Sequence, residues 1–245
     1  MGVAPLAPRD HIPELESLGV TAFTTTRAAG DFALADPTPA ADCVERWESL
    51  AASLESVATR LASARQVHGT DVLLHNPDWL GWRRANGADG HLTTARGSAL
   101  AVTIADCVPV FLAHPSGPIG LLHAGWRGTA DRIVPRALTQ LSAAAVDVTQ
   151  LHVHLGPAIC GRCYEVSPDV FERLTGWTTI RHRQVDLRAL LAEQAKEHGV
   201  ARVTASPYCT RCDNDRYFSH RAGDVGRQVA VIAQAAGGRD GSGGG

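Results

Sequence analysis

From Leu100 onward the chain carries two nearly unbroken apolar runs, ALAVTIADCVPVFLAH and PIGLLHAG. Strands with one wet face alternate apolar and polar residues, whereas runs of this kind belong to strands buried on both faces. Such strands need material packed on either side, and the rest of the chain offers it. Residues 19–26, GVTAFTTT, have the β-branched composition of a strand. Asp42 is placed to cap a helix whose apolar Val44, Trp47, Leu50, Leu54, Val57 and Leu61 recur at three- and four-residue intervals. QVHGTDVLLH reads as two short strands around a Gly69-Thr70 turn. Pro109 lacks a backbone donor, so a bend is expected just past Cys107. Thr129 is placed to cap a helix that carries Ile133, Val134, Ala137, Leu138 and Leu141 on one face.

The second half reads as a strand at 151–155, a helix starting at Ser167-Pro168, a helix capped by Asp186 that ends near His198, and a strand at 200–205. Neither a composition break nor a fixed-period repeat divides the chain. The expected architecture is one mixed α/β (α+β) domain over residues 1–236, with mixed sheets flanked by helices. Residues 237–245 form a glycine-rich tail without fold information.

Charge narrows the partners. A net charge of -2 gives no general attraction to nucleic acid or to an anionic membrane surface, so an anionic substrate must be caught by local groups. No run of about 18 apolar residues occurs, and the start MGVAPLAPRDHIPEL lacks a charged region followed by an apolar stretch. A cytoplasmic protein is the expectation. Six cysteines are too few for a disulfide-stapled scaffold of this length.

His68, Cys107 and His123 each occupy a short Gly-, Asp- or Pro-containing break beside an apolar stretch: QVHGTD, IADCVP and LLHAGW. Catalytic groups favour such strand-to-loop positions. Two imidazoles and a thiolate make the mixed nitrogen and sulfur set that Zn²⁺ prefers, with a fourth position left for water or substrate. The same residues also suit a core cysteine flanked by two hydrogen-bonded histidines. In HAGWRGT, Arg127 stands between two glycines at the start of a helix, a setting suited to phosphate. His152 and His154 share a strand face and form either a metal pair or a solvated one. Cys160-Gly-Arg-Cys163 and Cys209-Thr-Arg-Cys212 make a CxxC...CxxC pattern separated by residues 164–208. A second zinc there would clip two distant segments; free thiols or a disulfide are the alternatives.

RQVHGTDV, ADGHLTT, ADCVPVFL, GLLHAGWRG, HLGPAICGRCYEV and CTRCDNDRYFSHR follow one another in an order that resembles the YfiH family. These are the laccase-domain or polyphenol oxidase proteins, related to the purine enzyme FAMIN. The resemblance runs from about Phe23 to Val231. It implies a compact α/β fold and one catalytic zinc per chain held by His68, Cys107 and His123. It also implies purine nucleoside phosphorylase activity on adenosine, inosine, guanosine and methylthioadenosine, with adenosine deaminase activity. The sequence departs from the family pattern after FTTTR, where AAGDFALADPTPAADC replaces a glycine-rich stretch, and at Ala222, where a second arginine is common.

In that reading the substrates are purine nucleosides and phosphate. Arg127 is the leading phosphate-binding residue, with Arg27, Arg65 and Arg221 as further candidates. Asp89 and Asp106 are candidates for proton movement or for support of the site. Three alternatives stay open. One is a copper-dependent polyphenol oxidase with Cu²⁺ in place of zinc. Another is a Cys107/His123 hydrolase or deamidase, and the last is a zinc-stabilised scaffold for a protein partner.

Overall fold

The computed structural model describes residues 8–34 and 40–236; the 237–245 tail lies outside them. The chain enters through β1 (Arg9–His11), α1 (Pro13–Glu16), β2 (Val20–Thr25) and α2 (Ala40–Ser53). The strands β3 (Arg60–Ala64), β4 (Val72–His75), β5 (Gly81–Ala85), β6 (Gly90–Thr93), β7 (Ser98–Ile104), β8 (Val108–Ala113) and β9 (Ile119–Ala124) follow. Then come α3 (Trp126–Ala130), α4 (Ile133–Ala143), β10 (His152–Leu155), β11 (Glu165–Val166), α5 (Pro168–Thr175) and β12 (Arg183–Gln184). The chain finishes with α6 (Leu187–Glu197), β13 (Arg202–Ala205) and β14 (Gln228–Gln234).

Two six-stranded sheets form, in the orders β1-β2-β14-β7-β3-β5 and β13-β10-β8-β9-β6-β4. Both are mixed. β7 runs antiparallel to β14 and parallel to β3, while β10 runs antiparallel to β8 and parallel to β13. The sheets face each other. On β7, Leu100, Val102 and Ile104 meet Phe111, Ile119 and Leu121 of the second sheet, whereas Ala99 and Ala101 point the other way onto Trp47 and Leu50 of α2. Beyond the second sheet, Val108, Val110, Leu112 and Leu122 pack under Leu138 and Leu141 of α4 and Leu191 of α6. The layers are therefore helix, sheet, sheet, helix, and the unbroken apolar runs are the strands covered on both sides. Each fully buried Leu, Ile, Val or Phe adds roughly 1.5–3 kcal/mol to this core.

Several local expectations are corrected. QVH is not a strand: β3 ends at Ala64, and residues 65–71 form a loop that carries His68 in the left-handed region (φ 59). Asp42 lies within the first turn of α2, which begins at Ala40. The bend comes before Pro109, at 105–107, with Asp106 at φ 84. Pro109 itself lies in β8, opposite His123. It is tolerated because pairing with β10 stops at Leu155, and beyond that point the Pro109 carbonyl accepts the Gly156 N–H at 2.9 Å. Thr129 caps nothing; it is buried inside α3 and its hydroxyl donates to the Gly125 carbonyl at 2.9 Å. A left-handed Arg132 (φ 63) separates α3 from α4.

Among the described residues no helix is long and apolar enough to cross a membrane.

Candidate functional site

Cys107 stands where the chain passes from one sheet to the other, immediately before β8, and His123 lies on the neighbouring β9. The loop after β3 brings His68 to them. Their donor atoms all lie within 4.8 Å of one another, and the two imidazole rings meet edge to face with centroids 4.8 Å apart. Gly125 makes this approach possible. A Cβ there would sit 2.9 Å from Cys107 Sγ and 3.3 Å from His68 Cδ2.

Asp89, fully buried at the start of β6, organises two of the three residues. Its carboxylate accepts the N–H groups of Val67 (3.2 Å), His68 (2.9 Å) and Gly69 (2.7 Å), and its Oδ1 lies 2.8 Å from His123 Nδ1. Its carbonyl accepts the His123 N–H at 2.7 Å. With Nδ1–H committed to a carboxylate, His123 presents Nε2 as a donor, the arrangement by which metal-ligating histidines are oriented. Burial alone would raise the Asp89 carboxyl, but His123 and the Gly69 and Val67 N–H groups hold it below the ordinary carboxylate range.

The same network polarises the thiol. Burial raises Cys107, yet the charge and hydrogen bonds of His123 and His68 bring it down to about 6. Burial would lower His123, but Cys107 and Asp89 hold it up at about 9. A thiolate, an oriented imidazole and an exposed His68 fit a tetrahedral Zn²⁺ that needs one further ligand.

The three residues open onto a cavity of about 660 Å³, large enough for a nucleoside and an anion. Arg65, Arg127 and Arg221 line it, as the sequence suggests, and so does Asp106. Asp106 accepts the Thr210 hydroxyl (2.6 Å) and the Arg221 N–H (2.7 Å). Arg221 is further held by the Glu165 carbonyl and lies over the Tyr164 ring, while Arg65 donates to Asn86 Oδ1 at 3.0 Å. The Arg127 guanidinium leans on the Trp126 ring and has no hydrogen bond or ion pair among the described residues. The fold does not bring Arg27 to the cavity. Its guanidinium binds the carbonyls of Asn214 and Tyr217 and the Asp224 carboxylate (2.7 Å), and stacks on Phe218.

Arg84 and Tyr164 also line the cavity and were missed in the sequence. Arg84 is exposed on β5 and resembles any surface arginine until the parallel pairing with β3 sets it beside Arg65. Burial, together with the Cys107 charge, pushes Tyr164 up to about 12, so its phenol remains a hydrogen-bond donor. His152 and His154 bind Arg202 and Thr204 of β13 rather than a metal group.

Residues 31–235 match the family described as multi-copper polyphenol oxidoreductase laccase. A Streptomyces coelicolor protein named purine nucleoside phosphorylase is 36% identical over 196 residues, covering 76% of this chain and 79% of that protein. A Deinococcus radiodurans protein of the same name is 35% identical over 240 residues, covering 88% and 90%. The crystal structure of the hypothetical protein YfiH from Bacillus licheniformis superposes with a TM-score of 0.85 at 22% identity, over 94% of this chain and 97% of that one, and so shares the fold.

Proposed function

Since the chain belongs to the multi-copper polyphenol oxidoreductase laccase family, we propose that it is a zinc-dependent purine nucleoside phosphorylase that takes adenosine, inosine, guanosine and methylthioadenosine together with phosphate, and that also deaminates adenosine. The names of the Streptomyces and Deinococcus relatives support the phosphorylase reading. The observation that carries it is the juxtaposition of His68, Cys107 and His123 with Arg65, Arg84, Arg127 and Arg221 around one cavity.

When bound by His68, Cys107 and His123, zinc supplies a Lewis acid for the purine base. Arg127 and Arg84 hold the phosphate for attack at the sugar C1′, since neither guanidinium has a hydrogen-bonded partner among the described residues. Tyr164 remains protonated and donates a hydrogen bond to substrate oxygen or nitrogen. Trp126 offers an aromatic wall to the base. Asp89 keeps His123 in the tautomer that leaves Nε2 free, and Asp106 holds the corner that presents Cys107.

With inosine, release of free base should depend on phosphate and yield ribose 1-phosphate. Arg127→Ala should raise the KM for phosphate roughly tenfold or more, as expected for loss of a charge-assisted hydrogen bond, and leave zinc content unchanged. Zinc-loaded protein that releases no base from any purine nucleoside at saturating phosphate would overturn the proposal.

A second reading has one observation in its favour. Cys107, His123 and Asp89 form a thiol, imidazole and carboxylate chain of the kind that cysteine hydrolases use. Amide hydrolysis that persists at full rate after chelation, and disappears in Cys107→Ser, would select it over the phosphorylase.

A further inference from the structure

The two CxxC turns, remote in sequence, are neighbours in space. β10 and β13 are adjacent parallel strands joined by a crossover through α5 and α6, so each strand ends at the same edge of the sheet. Beyond these ends the pairing resumes at Ala158 and Cys209, and the Thr210 N–H reaches the Ala158 carbonyl at 3.2 Å. One turn then places Cys160 and Cys163, the other Cys209 and Cys212. All four sulfurs lie within 4.8 Å of one another, with Cys163 and Cys212 3.5 Å apart. Four sulfurs at about 2.3 Å from a tetrahedral zinc are about 3.8 Å apart, so no pair in the cluster needs to change its separation by more than about 1 Å.

Two backbone donors converge on one of these sulfurs. The N–H groups of Cys160 and Cys212 both point at Cys209 Sγ, at 3.2 and 3.4 Å. Zn²⁺ with four thiolates carries two net negative charges, and each turn places an arginine, Arg162 or Arg211, immediately before its second cysteine. Arg211 also donates to the Cys163 carbonyl of the opposite turn at 3.3 Å.

These turns grip the corner that carries Cys107. Ile159, directly before Cys160, donates its N–H to the Asp106 carbonyl at 3.1 Å. Thr210, directly after Cys209, donates its hydroxyl to Asp106 Oδ1 at 2.6 Å. Asp106 is the left-handed residue immediately before Cys107. We infer that Cys160, Cys163, Cys209 and Cys212 bind a second, structural zinc that closes the two turns around Asp106 and thereby fixes the position of Cys107. Binding releases the thiol protons to solvent, and no electrons move. With all four positions filled by sulfur, this zinc has no open site for substrate.

Metal counting tests this without reference to any activity. Wild-type protein purified under reducing, chelator-free conditions should hold two zinc ions per chain. The double variant His68→Ala/Cys107→Ser should hold one, and in cobalt-exchanged form it should show the intense visible bands of tetrahedral all-sulfur coordination. Cys209→Ser/Cys212→Ser should lose that ion, lower Tm by about 5 °C or more, and hold the zinc at His68, Cys107 and His123 less tightly against a competing chelator. Should that variant fail to fold, alkylation decides. In native His68→Ala/Cys107→Ser the four cysteines should resist modification until a chelator is added. Absence of metal from this variant, four freely alkylated thiols, or iron in place of zinc would each overturn the inference.

Discussion

Asp89 fills every lone pair it has. Three backbone N–H groups and the His123 imidazole converge on one carboxylate that sees no solvent. Nothing is left over for carrying protons, which makes it a positioning residue for His68 and His123 together. Asp89→Asn turns two acceptor sites into an N–H₂ that confronts N–H donors. Zinc affinity, measured by competition with a chromogenic chelator, should fall about 10–100-fold, and urea unfolding should show a loss of about 1–3 kcal/mol. Unchanged affinity would mean that His123 is oriented by something else. The three candidate ligands were legible in the sequence because each sits in a polar or glycine-containing break beside an apolar strand. Asp89 entered only as a candidate for proton movement or for support of the site, and Arg84 and Tyr164 gave no signal. Their roles depend on which strands become neighbours, and one chain read linearly does not contain that.

At the scale of elements, the junction between β9 and α3 is the point of close approach that the metal candidates share. Its glycine lies 2.9 Å from Cys107 Sγ, counted from the Cβ it lacks. Gly125→Ala should therefore push Cys107 and His68 apart and cut bound zinc at that centre well below one equivalent, while circular dichroism remains that of the wild type. Full zinc occupancy in this variant would show that the corner can yield. The elements themselves were largely readable. β7 to β9 announced themselves as unbroken apolar runs, and Asp186 caps α6 by accepting the N–H groups of Arg188 and Ala189. Failures fell where the backbone leaves ordinary regions. Thr129 looks like a cap, but the break is set by Arg132 at φ 63, a conformation for which arginine carries no mark. For the CxxC pairs the sequence left a zinc, free thiols or a disulfide open, because a parallel crossover brings distant segments together without any local pattern.

For the whole molecule, two imidazoles buried uncharged in the second sheet set a pH limit. Burial brings His91 down to about 3, assisted by His75, with Asp89 opposing. It brings His154 down to about 4, where Glu14 opposes and Arg188 assists. A histidine with a depressed folded-state pKa gains a proton on unfolding, so stability is intact above the unfolded value near 6.5 and declines as pH falls towards 4. Between pH 7.5 and 5, urea unfolding should lose about 2 kcal/mol through His154 alone, and His154→Gln should flatten that slope. An unaltered slope would place the acid sensitivity elsewhere. The excursion from Ser167 to Gln184 stands apart from this sensitive interior. It contains no buried residue, and its two ends are clasped by the β11–β12 ladder and by the Val185 N–H on the Tyr164 carbonyl at 3.0 Å. Its tip exposes Trp177 at 75% and Ile180 at 95%. Because the entry and exit points are fixed, doubling the length of that tip costs only about 0.6 kcal/mol of closure entropy. The tip is thus an insertion point, where the chain can acquire new sequence while its four layers remain as they are.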